Sequence, residues 1–279
     1  MAVDLRKFFQ ATDPGKALAV DNPEDKKYYI DFSSVRGGEI IKKLKQKITF
    51  FSPDAPTCVL FTGHIGCGKS TELLRLRTEL EQEGFHVVYF ESSEDLEMTD
   101  VDISDVLLAI ARRVSQSLDK LLLGEPSRLK ELLQGAAKVF NSDVTGMKFK
   151  VPGVGDVGVT SEKEKFSLAF GIGEITTKAK SDATLREKLN QYLGPQKTQL
   201  LEAINQELLE PAIASLKQQG KKGLVVVVDN LDRLNNITEI FDSPKTLDRL
   251  LEFMKVDRLH RSPLLHRVLP ILAPVADDW

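Results

Sequence analysis

"GHIGCGKST", Gly63 to Thr71, is the stretch on which the fold of this chain turns. Its first eight residues fit the spacing G-x-x-x-x-G-K-[ST], with Gly63, Gly68, Lys69 and Ser70 in the fixed places. An apolar run, "TCVLFTG", precedes it and reads as a short buried strand. "STELLRLRTELEQEG" follows it, with Leu73, Leu76 and Leu80 at helical spacing and Gly84 as the stop. The order is therefore strand, glycine-rich turn, helix.

That order has a chemical use. Glycines let successive backbone N–H groups turn inward around an anion, and the helix start adds the positive end of its dipole. The loop predicts a nucleotide phosphate site, with ATP and Mg²⁺ as the expected ligands. Lys69 is expected to reach the β- and γ-phosphates, Ser70 to offer its hydroxyl to Mg²⁺, and Thr71 to bond near the α-phosphate. Gly66 allows close approach, and His64, Ile65 and Cys67 fill the variable positions.

A second stretch answers the first. "KKGLVVVVDNLDRLNN", Lys221 to Asn236, drives four valines into Asp229. A continuous apolar run of that length suits a central parallel strand covered on both faces. An acid at its end is where a P-loop needs a carboxylate for Mg²⁺, so Asp229 joins Ser70 as a metal candidate. Asp232, three residues on, is the candidate to orient or deprotonate water, and with Lys69 it makes the catalytic pair. Asn230 stands directly after Asp229; it cannot act as a base. Asp232 also admits a structural reading, as a cap of the following turn or a partner of Arg233.

Together "GHIGCGKST" and "VVVVDNLDRL" resemble the P-loop ATPases with an additional catalytic strand, the broad group of AAA+ and STAND proteins. "DNLDR" looks like the D-D-L-D-R of KAP-type ATPases and the D-G-L-D-E of NACHT-type proteins. The resemblance gives Asp229 the magnesium role and Asp232 the acidic role after it. It sets Arg233 where NACHT proteins carry Glu, and "SSVRGGEIIKKL" where such proteins carry an adenine-contacting element, with Arg36 and Gly37 as base-pocket candidates. It implies an α/β fold, a three-layer parallel-sheet P-loop core. Such proteins also read the γ-phosphate from a further strand. The one candidate, Leu269 to Val275, has no Asn, Thr or Ser at a suitable place and is interrupted by prolines. The chain stops at Trp279 without room for a lid or effector domain, and so reads as a truncated or partial module.

The remaining sequence bounds the function. A net charge of −3 over 279 residues carries no global signature of nucleic-acid binding. Two cysteines, Cys58 and Cys67, make a disulfide framework implausible, and no apolar run approaches a membrane span. A cytoplasmic location is the expectation. Residues 1–35 read as an N-terminal extension and 36–279 as the ATPase domain. Within it, 135–180 is Gly-rich, alternates apolar and polar residues, and reads as an inserted β-hairpin or meander among helices. Gly153, Gly155 and Gly158 spell G-x-G-x-x-G there, but no helix is expected to follow. Glu91, Glu94, Asp95, Glu97, Asp100, Asp102 and Asp105 read as a solvated acidic loop whose last members start the helix from Ile103. "SDATLREKLNQYLGP" carries a capping-box-like start from Thr184 to Glu187, and Ser243-Pro244 starts a late helix.

Three functions compete at this level. The first is an ATP-hydrolysing regulatory switch acting on protein partners, its own copies included. The second is a nucleic-acid-dependent ATPase or loader, supported only by scattered lysines such as Lys42, Lys43, Lys45 and Lys47. The third is a small-molecule kinase, disfavoured by the long gap between the two motifs. No L-S-G-G-Q-like segment suggests a transporter ATPase.

Overall fold

The computed structural model describes residues 5, 17–32, 39–51, 59–61, 66–118, 127–141, 168–231 and 271–272. In chain order these form α1 (Pro23–Lys26), α2 (Ile40–Gln46, continuing as a π-turn over Lys47–Phe51), β1 (Val59–Leu60), α3 (Lys69–Gln82), β2 (His86–Glu91) and α4 (Ser92–Asp95). There follow α5 (Ile103–Ser117), α6 (Ser127–Asn141), α7 (Leu168–Ser181), α8 (Ala183–Leu193), α9 (Lys197–Ile204), α10 (Glu210–Gln218), β3 (Leu224–Asp229) and β4 (Ile271–Leu272).

The valine run is β3, buried at all six positions. It pairs in parallel with β2, from His86 opposite Leu224 to Glu91 opposite Asp229. Strand alternation then sorts the side chains. Val87, Val225 and Val227 pack with Ile41, Leu44 and Ile48 of the α2 region and Leu73, Leu76 and Leu80 of α3. Val88, Phe90, Leu224, Val226 and Val228 pack with α5, α6, α9 and α10 on the other face. Both faces of this pair are thus covered, which is why Val87, Val88, Phe90 and the run from Leu224 to Val228 are apolar. β4 pairs in parallel with β1 and also lies within 8 Å (Cα–Cα) of β3, so it stands between the two motif-bearing strands.

Helix ends set the strand starts. Gly84 takes φ +94° after α3, Gly84 N–H donates to Glu81 O, and Phe85 N–H donates to Leu80 O. This is a Schellman stop, sealed by Phe85 and Leu80 in one apolar cluster. Gly220 repeats it after α10. The two turns meet: Lys222 N–H donates to Gly84 O and His86 N–H to Gly223 O, at 2.9 Å each, which starts the β2–β3 ladder in register.

Several sequence expectations change. Helices, not strands, occupy both ends of the span read as a β insertion: α6 covers 135–141 and α7 covers 168–181. The glycines misled. Ile172, Ile175 and Ala179 form a helical stripe buried against α5, and Gly173 is small because α5 comes close: a Cβ there would lie 3.2 Å from Arg112 Nε. The G-x-G-x-x-G stretch and the late helix at Ser243 lie outside the described residues. The cap of α8 is Asp182, whose carboxylate accepts from Thr184 and Leu185 N–H, and not Thr184. Helical spacing sets Ile40 with Ile41, Leu44 and Ile48, but Ile40 is exposed and only the other three carry the buried face.

The acidic loop is solvated only in part: Glu94 and Asp100 are exposed, and Asp102 and Asp105 start α5 as expected, but its members are tied to other elements. Asp95, on α4, is fully buried and takes Arg112 and Arg113 of α5 on its two oxygens. Lys180 of α7 donates to the carbonyls of Ser93 and Glu94. Asp102 caps α5 in a capping box with Asp105 and pairs with Lys197, and Asp100 meets Arg186. These acids tie the post-β2 connection to the helical face of the sheet.

Candidate functional site

The phosphate-loop motif is described from Gly66 onward; Gly63, His64 and Ile65 lie outside the described residues, as do Asp232, Arg233, Arg36 and Gly37. Gly66 and Gly68 take φ of +79° and +82°. Gly68 is the N-cap of α3 in the left-handed region and, having no side chain, places no capping group over the helix start. No Gly68 side chain therefore competes with an anion for the first-turn N–H groups. Lys69 opens the helix and is 8% exposed, Ser70 is half-buried, and Cys67 is a half-buried free thiol. Thr71 accepts at Oγ1 from Leu18 N–H at 3.1 Å, which clips the N-terminal segment to α3 and leaves the hydroxyl proton for donation.

Asp229 reaches the same place by a different route. Val225, Val227 and Asp229 alternate onto the face that α3 covers. The C-terminus of α3 sits at the start of β2 and β3, as the Gly84 bonds require. The 14 residues of α3 span about 21 Å and the 6 of β3 about 20 Å. Packed antiparallel along that face, α3 brings its N-terminus, with Lys69 and Ser70, to the end of β3 that carries Asp229.

The Asp229 carboxylate is 1% exposed and held at both oxygens. Tyr89 Oη donates to Oδ2 at 2.6 Å, and Asn230 N–H donates to Oδ1 at 2.7 Å, with Asn230 at φ +62°. Tyr89 stands opposite Val227, so Asp229 is its diagonal neighbour across the ladder. Burial, reinforced by the Asp229 charge, pushes the Tyr89 hydroxyl well above its ordinary range, which keeps it a donor. Sequence reasoning missed Tyr89. Its polar tip at an inward strand position was the one available signal, and it meant nothing until the β2–β3 register was known.

These residues suit Mg²⁺. An ionised carboxylate has about four lone-pair sites, so two donors leave it able to accept further bonds. Among the described residues no group of three or more His, Cys, Asp or Glu could cage a metal. That matches an ion held by one carboxylate, one hydroxyl, phosphates and water rather than by protein alone. Among the described residues no helix is long and apolar enough to cross a membrane.

Comparison with known proteins supplies the family. The KAP family P-loop domain matches residues 38–257, well over half of the chain. No curated protein and no solved structure matches. The matched span contains the glycine loop, the buried valine strand and the helices between them, and with it comes the expectation of nucleotide binding. The chain accordingly belongs to the KAP family of P-loop NTPases.

Proposed function

We propose that this protein binds ATP with Mg²⁺ and hydrolyses it as a regulatory switch on protein partners. The observation that carries the reading is that the α3 N-terminus, which Gly68 leaves without a side-chain cap, and the fixed Asp229 carboxylate stand at one end of one sheet face. The backbone of Gly63 to Gly68, with His64, Ile65 and Cys67 between, cradles the phosphates. Lys69 neutralises the β- and γ-oxygens, and Thr71 bonds near the α-phosphate. Ser70 and Asp229 hold Mg²⁺, whose charge offsets that of the phosphates, and Asp232 orients the attacking water. The core is a three-layer parallel sheet of residues 36–279, preceded by the extension 1–35.

A protein partner is supported by the stretch that follows α1 within that extension. Tyr29 and Asp31 reach Arg75 of α3, while Tyr28, Ile30 and Phe32 are exposed. An apolar ridge of this kind suits another chain better than water.

The decisive experiment is Lys69→Ala in the full chain, read by fluorescent-ATP binding. Loss of binding is expected, because the phosphate charge loses its main side-chain counter-ion. Unchanged affinity in a folded variant would refute the site.

A further inference from the structure

We propose that Tyr89 is a positioning residue for magnesium: its hydroxyl fixes the rotation of the Asp229 carboxylate and so sets the ion's affinity. The inference rests on the reading of Asp229 as a magnesium residue.

A carboxylate at a strand end has one soft torsion that moves its oxygens. Asn230 N–H holds Oδ1 locally, from the next residue. Among the described residues only Tyr89 holds Oδ2, and it does so from another strand, 140 residues away in sequence. Tyr89 itself is rigid. Its backbone is locked in the ladder opposite Val227, and its ring packs against the apolar cluster that includes Val87, Val225 and Leu73. The bond thus fixes Asp229 relative to the same cluster on which α3 rests. Ser70, at the start of α3, inherits that frame. The two protein groups meant for one ion are referenced to one packed layer.

Groups that orient metal-binding side chains from behind typically cost tenfold or more in metal affinity when removed. Tyr89→Phe removes the donor and keeps the ring, so the packing of Val87 and Val225 is retained. The test is a Mg²⁺ titration of ATP binding by the full chain, with binding in EDTA as the reference. The expected result is that Tyr89→Phe needs about tenfold more Mg²⁺ while metal-free ATP affinity is unchanged. An unchanged Mg²⁺ requirement in Tyr89→Phe, with a raised one in Asp229→Asn, would overturn the role of Tyr89 and leave Asp229 standing. If Asp229→Asn also left the requirement unchanged, the underlying assignment would fail instead.

A second measurement needs no substitution at Tyr89. In protein labelled with fluorotyrosine, one of the four tyrosines should shift when Mg²⁺ is added to the ATP-bound form. The shift should be absent in Asp229→Asn. If no tyrosine signal responds in this way, the proposal is wrong.

Discussion

Asp95→Asn should destabilise this protein more than any single surface change, although the residue lies outside the candidate site. The Asp95 side chain is wholly buried, and it accepts from Arg112 Nη1 at 2.8 Å and from Arg113 Nε. Asparagine keeps the shape but loses the charge, and its amide turns a donor toward guanidinium donors. Breaking a buried ion pair from one side costs about 3–5 kcal/mol. Here the guanidinium side chains retain 23% and 26% exposure, and Arg113 also has Glu94, so water and a second carboxylate recover part of that. The remainder is about 2–4 kcal/mol. With a urea slope of about 3 kcal/mol per molar, the unfolding midpoint should fall by about 1 M. Equilibrium urea unfolding at pH 7, without nucleotide, measures it. A loss below about 0.5 kcal/mol, the size of an exposed pair, would show that Asp95 does not anchor α4 to α5.

Two further outcomes test the same packing. Burial, partly countered by the Asp102 backbone N–H, raises the Asp105 carboxyl from 3.8 to about 6. The folded state then holds this proton more tightly than the unfolded chain. Its contribution is fully present below about pH 4 and is lost as pH rises through about 6. At ~1.4 kcal/mol per unit the loss is about 2–3 kcal/mol, and Asp105→Asn should abolish that slope; an unchanged pH profile of the unfolding free energy would contradict it. Gly135→Ala should destabilise by about 1–3 kcal/mol through overpacking of α6 on α8. A Cβ there would lie 1.7 Å from Tyr192 Oη. Tyr192→Ala in the same chain should remove that penalty, and additive effects in a double-mutant cycle would refute the clash.

What the amino-acid sequence determined by itself is what nearby residues encode. The turn from Gly66 into α3, the all-buried β3 and the start of α5 at Ile103 each depend on spacing within one segment, and each is where its pattern put it. The acids and glycines were legible as residues but not as roles. Asp95 looks like any loop acid until α5 is folded across it, and Gly173 looks like a turn until Arg112 crosses it. Tertiary structure alone decided that β4 lies between β1 and β3, and that Tyr89 meets Asp229. Those contacts join residues far apart in sequence, 140 positions for Tyr89 and Asp229. Pattern within a window cannot specify them, because the free energy that selects them is burial and hydrogen bonding realised only when strands and helices are packed together.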